Sequence, residues 1–158
     1  MNDKYLVNSL KELQSNLIVY SHLTRGFYWN TESVLMRQSR IIYEEIYRES
    51  EKYVDGISDW LRRLKEEAPY TLEEFAKYQT LGDVKPNTYC GVEMAVHLSP
   101  INSRMVKDIK LVIDQALMNK EYGLVAFLSE MMTAFQTWDW FLESSLKLPP
   151  NPWKSLKD

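Results

Sequence analysis

Apolar residues recur along this chain at alternating steps of three and four, the spacing that lays them on one face of an α-helix. Leu6, Leu10, Leu13, Leu17 and Tyr20 form the first stripe. It predicts a helix that starts near Asn2 or Asp3, either a suitable N-cap, and ends between Gly26 and Asn30. Ile42, Ile46, Tyr53, Ile57, Leu61 and Leu64 predict a second helix from Glu32 to Lys65, with Ser33 as its cap and Glu and Arg on its opposite face. Met94, Leu98, Met105, Ile109, Val112 and Ala116 predict a third, from Gly91 to Met118. Pro100 within it implies either a kink or a helix that begins there, capped by Ser99. Leu124, Leu128, Met131, Phe135, Trp138 and Leu142 predict the fourth, from Lys120 to Leu146.

Between the second and third helices lies the longest connection. Pro69 stops the second helix. Thr71-Leu72-Glu73-Glu74 then reads as a capping box, with Thr71 at the N-cap and Glu74 at the third helical position, announcing a short helix to Tyr78. Gly82, Pro86 and Asn87 mark the loop beyond it. No segment alternates convincingly between apolar and polar, and no Asn-Gly or Asp-Gly hairpin turn occurs. The pattern is all-α and predicts a helical bundle; four helices with one long crossover, here carrying its own short helix, are the ferritin-like arrangement, while periodicity alone leaves another bundle topology open. The bundle is expected to span residues 1–147, and residues 148–158, opening with Leu148-Pro149-Pro150-Asn151-Pro152-Trp153, form a short tail.

Composition narrows the picture. A chain of 158 residues suits one domain with a real core. Five Trp, ten Tyr and five Phe put large aromatic contacts in that core or at a subunit interface. The net charge of −3 argues against a protein built mainly to hold phosphate backbones. A single cysteine, Cys90, excludes an internal disulfide and a Cys-rich zinc site, and suits a reducing cytoplasm. No apolar run approaches the roughly 20 residues needed to cross a bilayer. The N-terminus lacks the basic and apolar regions of a secretory signal. A soluble, cytoplasmic protein with no membrane partner is expected.

Local patterns across nearly the whole chain resemble the Dps family of ferritin-like proteins. Tyr28-Trp29-Asn30 stands where that family carries His-Trp-Asn at the end of the first helix. Counting on without a gap brings Asp55 onto the family's Asp, within Val54-Asp55-Gly56-Ile57-Ser58-Asp59-Trp60-Leu61. Ala68-Pro69-Tyr70-Thr71-Leu72-Glu73-Glu74-Phe75 is similar to the family's short crossover helix, and Glu121 to Leu128 with Trp138 to Leu142 looks like its fourth helix. The resemblance implies a homo-oligomer with a dimer as its building block, a hollow shell of twelve subunits, iron storage and DNA protection.

It also implies where iron would be oxidised: at a dimer interface, where two His of one subunit meet an Asp and a Glu of the other. Carried over, the carboxylates are Asp55 and Asp59, four apart and so on one helix face. Asp59 replaces a Glu and reaches one methylene less far. Neither His survives: Tyr28 and Arg40 stand in their places, with Trp29 beside the site. Arginine is always cationic and offers no lone pair to a metal. The expectation is that Arg40 of one subunit pairs with Asp55 or Asp59 of the other in the space iron would fill, leaving ferroxidase activity weak or lost. Carboxylates so spaced on a helix are also an ordinary solvated face. A different class of function stays open: a non-catalytic bundle serving as an interaction or DNA-associated scaffold.

Other candidates carry less. Glu-x-x-His pairs, which a bundle di-iron site needs, are missing, since the only His are His22 and His97. Glu93 and His97, at i and i+4, could share a metal but are only two ligands; hydrogen bonding at a surface or interface is the simpler reading. His22 reads as structural. Met131, Met132, Phe135 and Trp138 read as core or subunit contact and not a cofactor pocket. Cys90 has no neighbouring base to activate it. Lys4 and Lys11 near the start and Lys147, Lys154 and Lys157 near Asp158 are few for a DNA-binding tail, so DNA contact is expected to be weak.

Overall fold

A computed structural model describes residues 4–147 of the chain. Five helices account for the regular structure: α1 Lys4–Asn30, α2 Met36–Arg63, α3 Leu72–Tyr78, α4 Gly91–Met118 and α5 Tyr122–Ser145. No strand occurs among the described residues. Asn2 and Asp3, the expected caps of the first helix, lie outside the described residues, as does the 148–158 tail.

Helix α1 packs along α2, and α4 along α5; α4 also meets α1, and α3 lies against α1. The four stripes face one another. Every stripe residue named above is buried except Ile42, which is partly so and packs at the edge of the core. Met131, Phe135 and Trp138 are core residues and Met132 packs against them, which settles that cluster as packing.

Two expectations about helix ends need correction. Helix α2 begins at Met36, not Glu32, and Ser33 is not its cap: Leu35 holds that position and no side chain caps the helix. The carbonyl of Ser33 instead accepts from the Met36 N–H at 3.1 Å. The reason is the connection itself. The Glu32 N–H bonds to the Tyr89 carbonyl at 2.6 Å, tying the α1–α2 turn to the start of α4, so residues 31–35 are used to reverse the chain. The alternative that a helix starts at Pro100 under a Ser99 cap is not realised either, because α4 starts at Gly91 and continues through Pro100.

The crossover is latched to α1 by buried amides. Gln14 Nε2 donates to Ser58 Oγ at 2.7 Å and to the Pro69 carbonyl at 3.1 Å. Asn16 receives the Thr80 N–H at 2.8 Å and donates to Thr80 Oγ1 at 3.0 Å. Arg104 of α4 adds two bonds of 2.9 Å to Thr80. Between these latches the Thr71–Glu74 capping box is formed as the sequence indicates.

Candidate functional site

A polar network in the bundle interior links Tyr20, whose hydroxyl donates to Asn102 Oδ1 at 2.8 Å, to Asp139, which accepts from Asn102 at 3.1 Å and from Ser103 at 2.6 Å. Burial holds the Tyr20 phenol well above its usual pKa, reinforced by the charge of Asp139 and by Tyr43. It is therefore a neutral donor that fixes α1 against α4.

The positions that the resemblance singles out lie on α1 and α2. Tyr28 sits in the last turn of α1 and Arg40 in the second turn of α2, and the helix reversal brings them together. The Arg40 guanidinium carbon lies 4.0 Å from the centre of the Tyr28 ring, a cation–π contact. Tyr28 meets Tyr47 edge to face, with centroids 5.6 Å apart. Tyr47 in turn lies under two more guanidinium groups, Arg25 at 4.6 Å and Arg48 at 5.5 Å. Arg25 pairs with Glu51, and Arg48 Nε with Glu44 at 2.8 Å. The result is a continuous ladder of cations and aromatic rings across the seam of α1 and α2.

Sequence reasoning found the two ends of this arrangement, Tyr28 and Arg40, but not their contact, nor the roles of Tyr47, Arg25 and Arg48. A signal for them existed. Arg40 and Tyr47 are seven apart, Arg25 and Tyr28 three apart, so each pair shares a helix face.

Asp55 and Asp59 are exposed on α2, and among the described residues neither has an ion-pair or hydrogen-bond partner. Arg40 is fifteen residues from Asp55 on the same helix, about 22 Å at 1.5 Å per residue. The two cannot meet within one protomer. Trp29 is 64% exposed and takes no part in the core. Among the described residues no group of three or more His, Cys, Asp and Glu could hold a metal ion. Within one protomer, then, the residues present do not fit iron. Asp55 and Asp59 stand apart from Tyr28 and Arg40, which stack on each other.

The other candidates stay apart from this site. Glu93 and His97 are both exposed, and Glu93 accepts from Thr88 Oγ1. His22 Nδ1 contacts the Ile18 carbonyl at 2.9 Å. Cys90 is the half-exposed residue just before α4. Lys11 contacts Glu66 at 3.7 Å, so it is partly neutralised. Lys154 and Lys157 lie outside the described residues.

The fold is an all-α bundle whose arrangement is similar to that of solved Dps structures. The chain superposes on the Dps of Thermosynechococcus elongatus with a TM-score of 0.88 at 16% identity, covering 94% of each chain. It matches the Dps of Staphylococcus aureus with a TM-score of 0.87 at 20% identity, over 94% of this chain and 99% of that one. The Dps of Vibrio cholerae O1, described as a member of a broad superfamily of ferritin-like diiron-carboxylate proteins, matches with a TM-score of 0.85 at 20% identity, over 91% and 90% of the two chains. At such identities the likeness establishes the fold. No family model matches the sequence, and no curated protein does.

Proposed function

We propose that this chain is a subunit of a Dps-like shell for iron sequestration and stress protection, in which the oxidation centre between subunits has been replaced by an ionic lock. The fold likeness supports the first half of this reading. The observation that carries the second is the stacking of Arg40 on Tyr28 at 4.0 Å, which puts a guanidinium with no lone pair for a metal, and the ring it rests on, where the resemblance implies the two imidazoles. In a two-fold pair with α2 helices antiparallel, Arg40 of each protomer faces Asp55 or Asp59 of the other. The carboxylates then meet a cation that belongs to the protein instead of iron, and ferroxidase activity is weak or lost. Iron reaching such a shell is cargo oxidised elsewhere or held by other surfaces. With a net charge of −3 and few basic residues near the termini, DNA contact is weak, and a binding constant that falls steeply with added salt would reverse this reading.

Anaerobic Fe(II) titration followed by addition of an oxidant, with light scattering to size the assembly, tests the reading. The expected result is an oligomer of Dps dimensions whose iron oxidation stays near the protein-free rate. The variant carrying Tyr28→His and Arg40→His should oxidise Fe(II) faster than the parent. Rapid oxidation by the parent chain overturns the lock; a dimer that takes up no iron points to a scaffold.

A further inference from the structure

The crossover from Gln79 to Cys90 has no regular structure, and none of its residues is buried. Its two ends are nonetheless fixed. At one end Thr80 is the centre of a knot. Asn16 of α1 makes two bonds to it, Arg104 of α4 makes two more, and its hydroxyl donates to Glu12 at 3.1 Å. At the other end the Tyr89 carbonyl accepts from the Glu32 N–H at 2.6 Å, and Glu93 accepts from the Thr88 hydroxyl. The chain then enters α4, where the Tyr43 hydroxyl donates to the Gly91 carbonyl.

Between these ends no polar contact ties the crossover to the bundle. From Leu81 to Asn87 the one hydrogen bond among the described residues is from Gly82 N–H to Gln79 Oε1 at 2.8 Å, within the crossover itself. Asp83 and Lys85 form no ion pair among the described residues. Leu81 packs against the edge of the core, and Val84 does not. Beneath the segment lies a hollow in place of a packed layer. Two adjoining cavities of about 460 and 580 Å³ separate it from α1, and His22, Leu23 and Val84 line both. Gly82, with a φ of 71°, gives the chain a hinge beside the Thr80 knot.

We infer that residues 81–88 form a strap that lifts off α1 as a unit while the bundle stays folded, with the Thr80 knot and the Tyr89–Glu32 bond as its fixed ends. A segment with no buried side chain and no bond to its support opens at far lower free energy than the core. Lifting uncovers the α1 face around His22 and Leu23. The strap is a property of one chain and is independent of the ionic lock.

Native-state proteolysis of the full chain tests this. Thermolysin cuts before aliphatic residues and is expected to cleave between Asp83 and Val84 without denaturant. That rate should change less than about twofold up to half the urea midpoint, while cutting inside α1 rises by about a hundredfold or more, because only the second requires global unfolding. The nicked chain should keep its helical circular dichroism and its assembly size, with both fragments associated. Hydrogen exchange then separates the strap from its ends. The Thr80 and Glu32 N–H groups should be protected about a hundredfold or more relative to those of Val84 and Lys85. Asn16→Ala, which loosens the knot, should speed both cleavage at Val84 and exchange at Thr80. Cleavage that appears only as the bundle unfolds overturns the inference. So do fragments that separate or lose helix, and so does exchange at Thr80 and Glu32 as fast as within the strap.

Discussion

At the residue scale, the α1–α2 seam is held by contacts whose worth can be measured one pair at a time. The Arg40–Tyr28 stack is partly exposed, and such contacts contribute about 0.5–1 kcal/mol. A double-mutant cycle of Arg40→Met and Tyr28→Leu, read by urea denaturation under conditions that keep the protein monomeric, should give a coupling in that range. A coupling near zero would mean the guanidinium merely rests on the ring. The buried phenols set a second expectation. Tyr20 and Tyr43 are both pushed up, each chiefly by burial, with Asp139 adding to the first and Cys90 to the second. Their folded pKa values exceed the unfolded value of about 10, so above that pH the unfolded chain loses protons the folded one keeps. The stability these phenols give is complete below pH about 10 and declines as pH rises toward their folded values, by at most about 1.4 kcal/mol per pH unit for each. Urea midpoints at pH 9, 10 and 11 should fall in that order, and less steeply in Tyr43→Phe. A flat profile would show that these phenols are not sealed from water.

At the element scale, the helix ends and helix crossings show where the sequence was readable. Stripes of Leu, Ile and Met placed α4 and α5 closely, though they left open a start of α4 at Pro100, because burial of one face decides where a helix packs. Ends set by distant partners were not readable. Nothing near Ser33 reveals that Glu32 bonds to Tyr89 fifty-seven positions away, so the start of α2 was misplaced. Lys65 and Lys120, with φ of 63° and 59°, close α2 and α4 in the left-handed conformation usually given to glycine. In both turns two N–H groups return to the helix: Lys65 to Arg62 and Glu66 to Leu61 after α2, Lys120 to Leu117 and Glu121 to Ala116 after α4. Left-handed backbone costs an L-residue about 1–2 kcal/mol. Lys65→Gly and Lys120→Gly should therefore each raise the unfolding free energy, by about 0.5–1 kcal/mol after the entropy that glycine adds to the unfolded chain. The α2–α5 crossing has the opposite need. Gly56 seats the Phe127 ring, which would lie 2.5 Å from an added Cβ, and Gly123 seats Trp60 at 2.8 Å. Gly56→Ala should cost about 1–3 kcal/mol, and Phe127→Leu in the same chain should recover part of it. Thermal melts of the single and double variants decide this.

At the scale of the whole molecule, the proposed ionic lock is one that a single chain cannot complete. The sequence named its four positions by alignment to a family pattern, yet only Tyr28 and Arg40 touch in the protomer. What stayed hidden was the competition for Arg40, since a cation facing distant carboxylates can first stack on a nearby ring. Arg40 and Asp55 lie on one rigid helix, about 22 Å apart at the helical rise. A pairing between them therefore requires a second copy running the other way, and two-fold symmetry then makes it twice. Charge reversal reads this out without iron. Arg40→Asp sets like charges against each other at both ends of the interface, and so does Asp55→Arg; each should weaken association, measured by sedimentation across a range of concentrations. Like-charge contacts of this kind cost more than rim charges because they fix register. The double variant restores opposite charges at both ends and should recover most of the association, at ordinary and not only low salt. Two additive losses with no recovery would place Asp55 away from Arg40. The same double reversal with Asp59 in place of Asp55 then asks which carboxylate the guanidinium meets, because one helical turn separates them and antiparallel helices can bring only one of the two into line with Arg40.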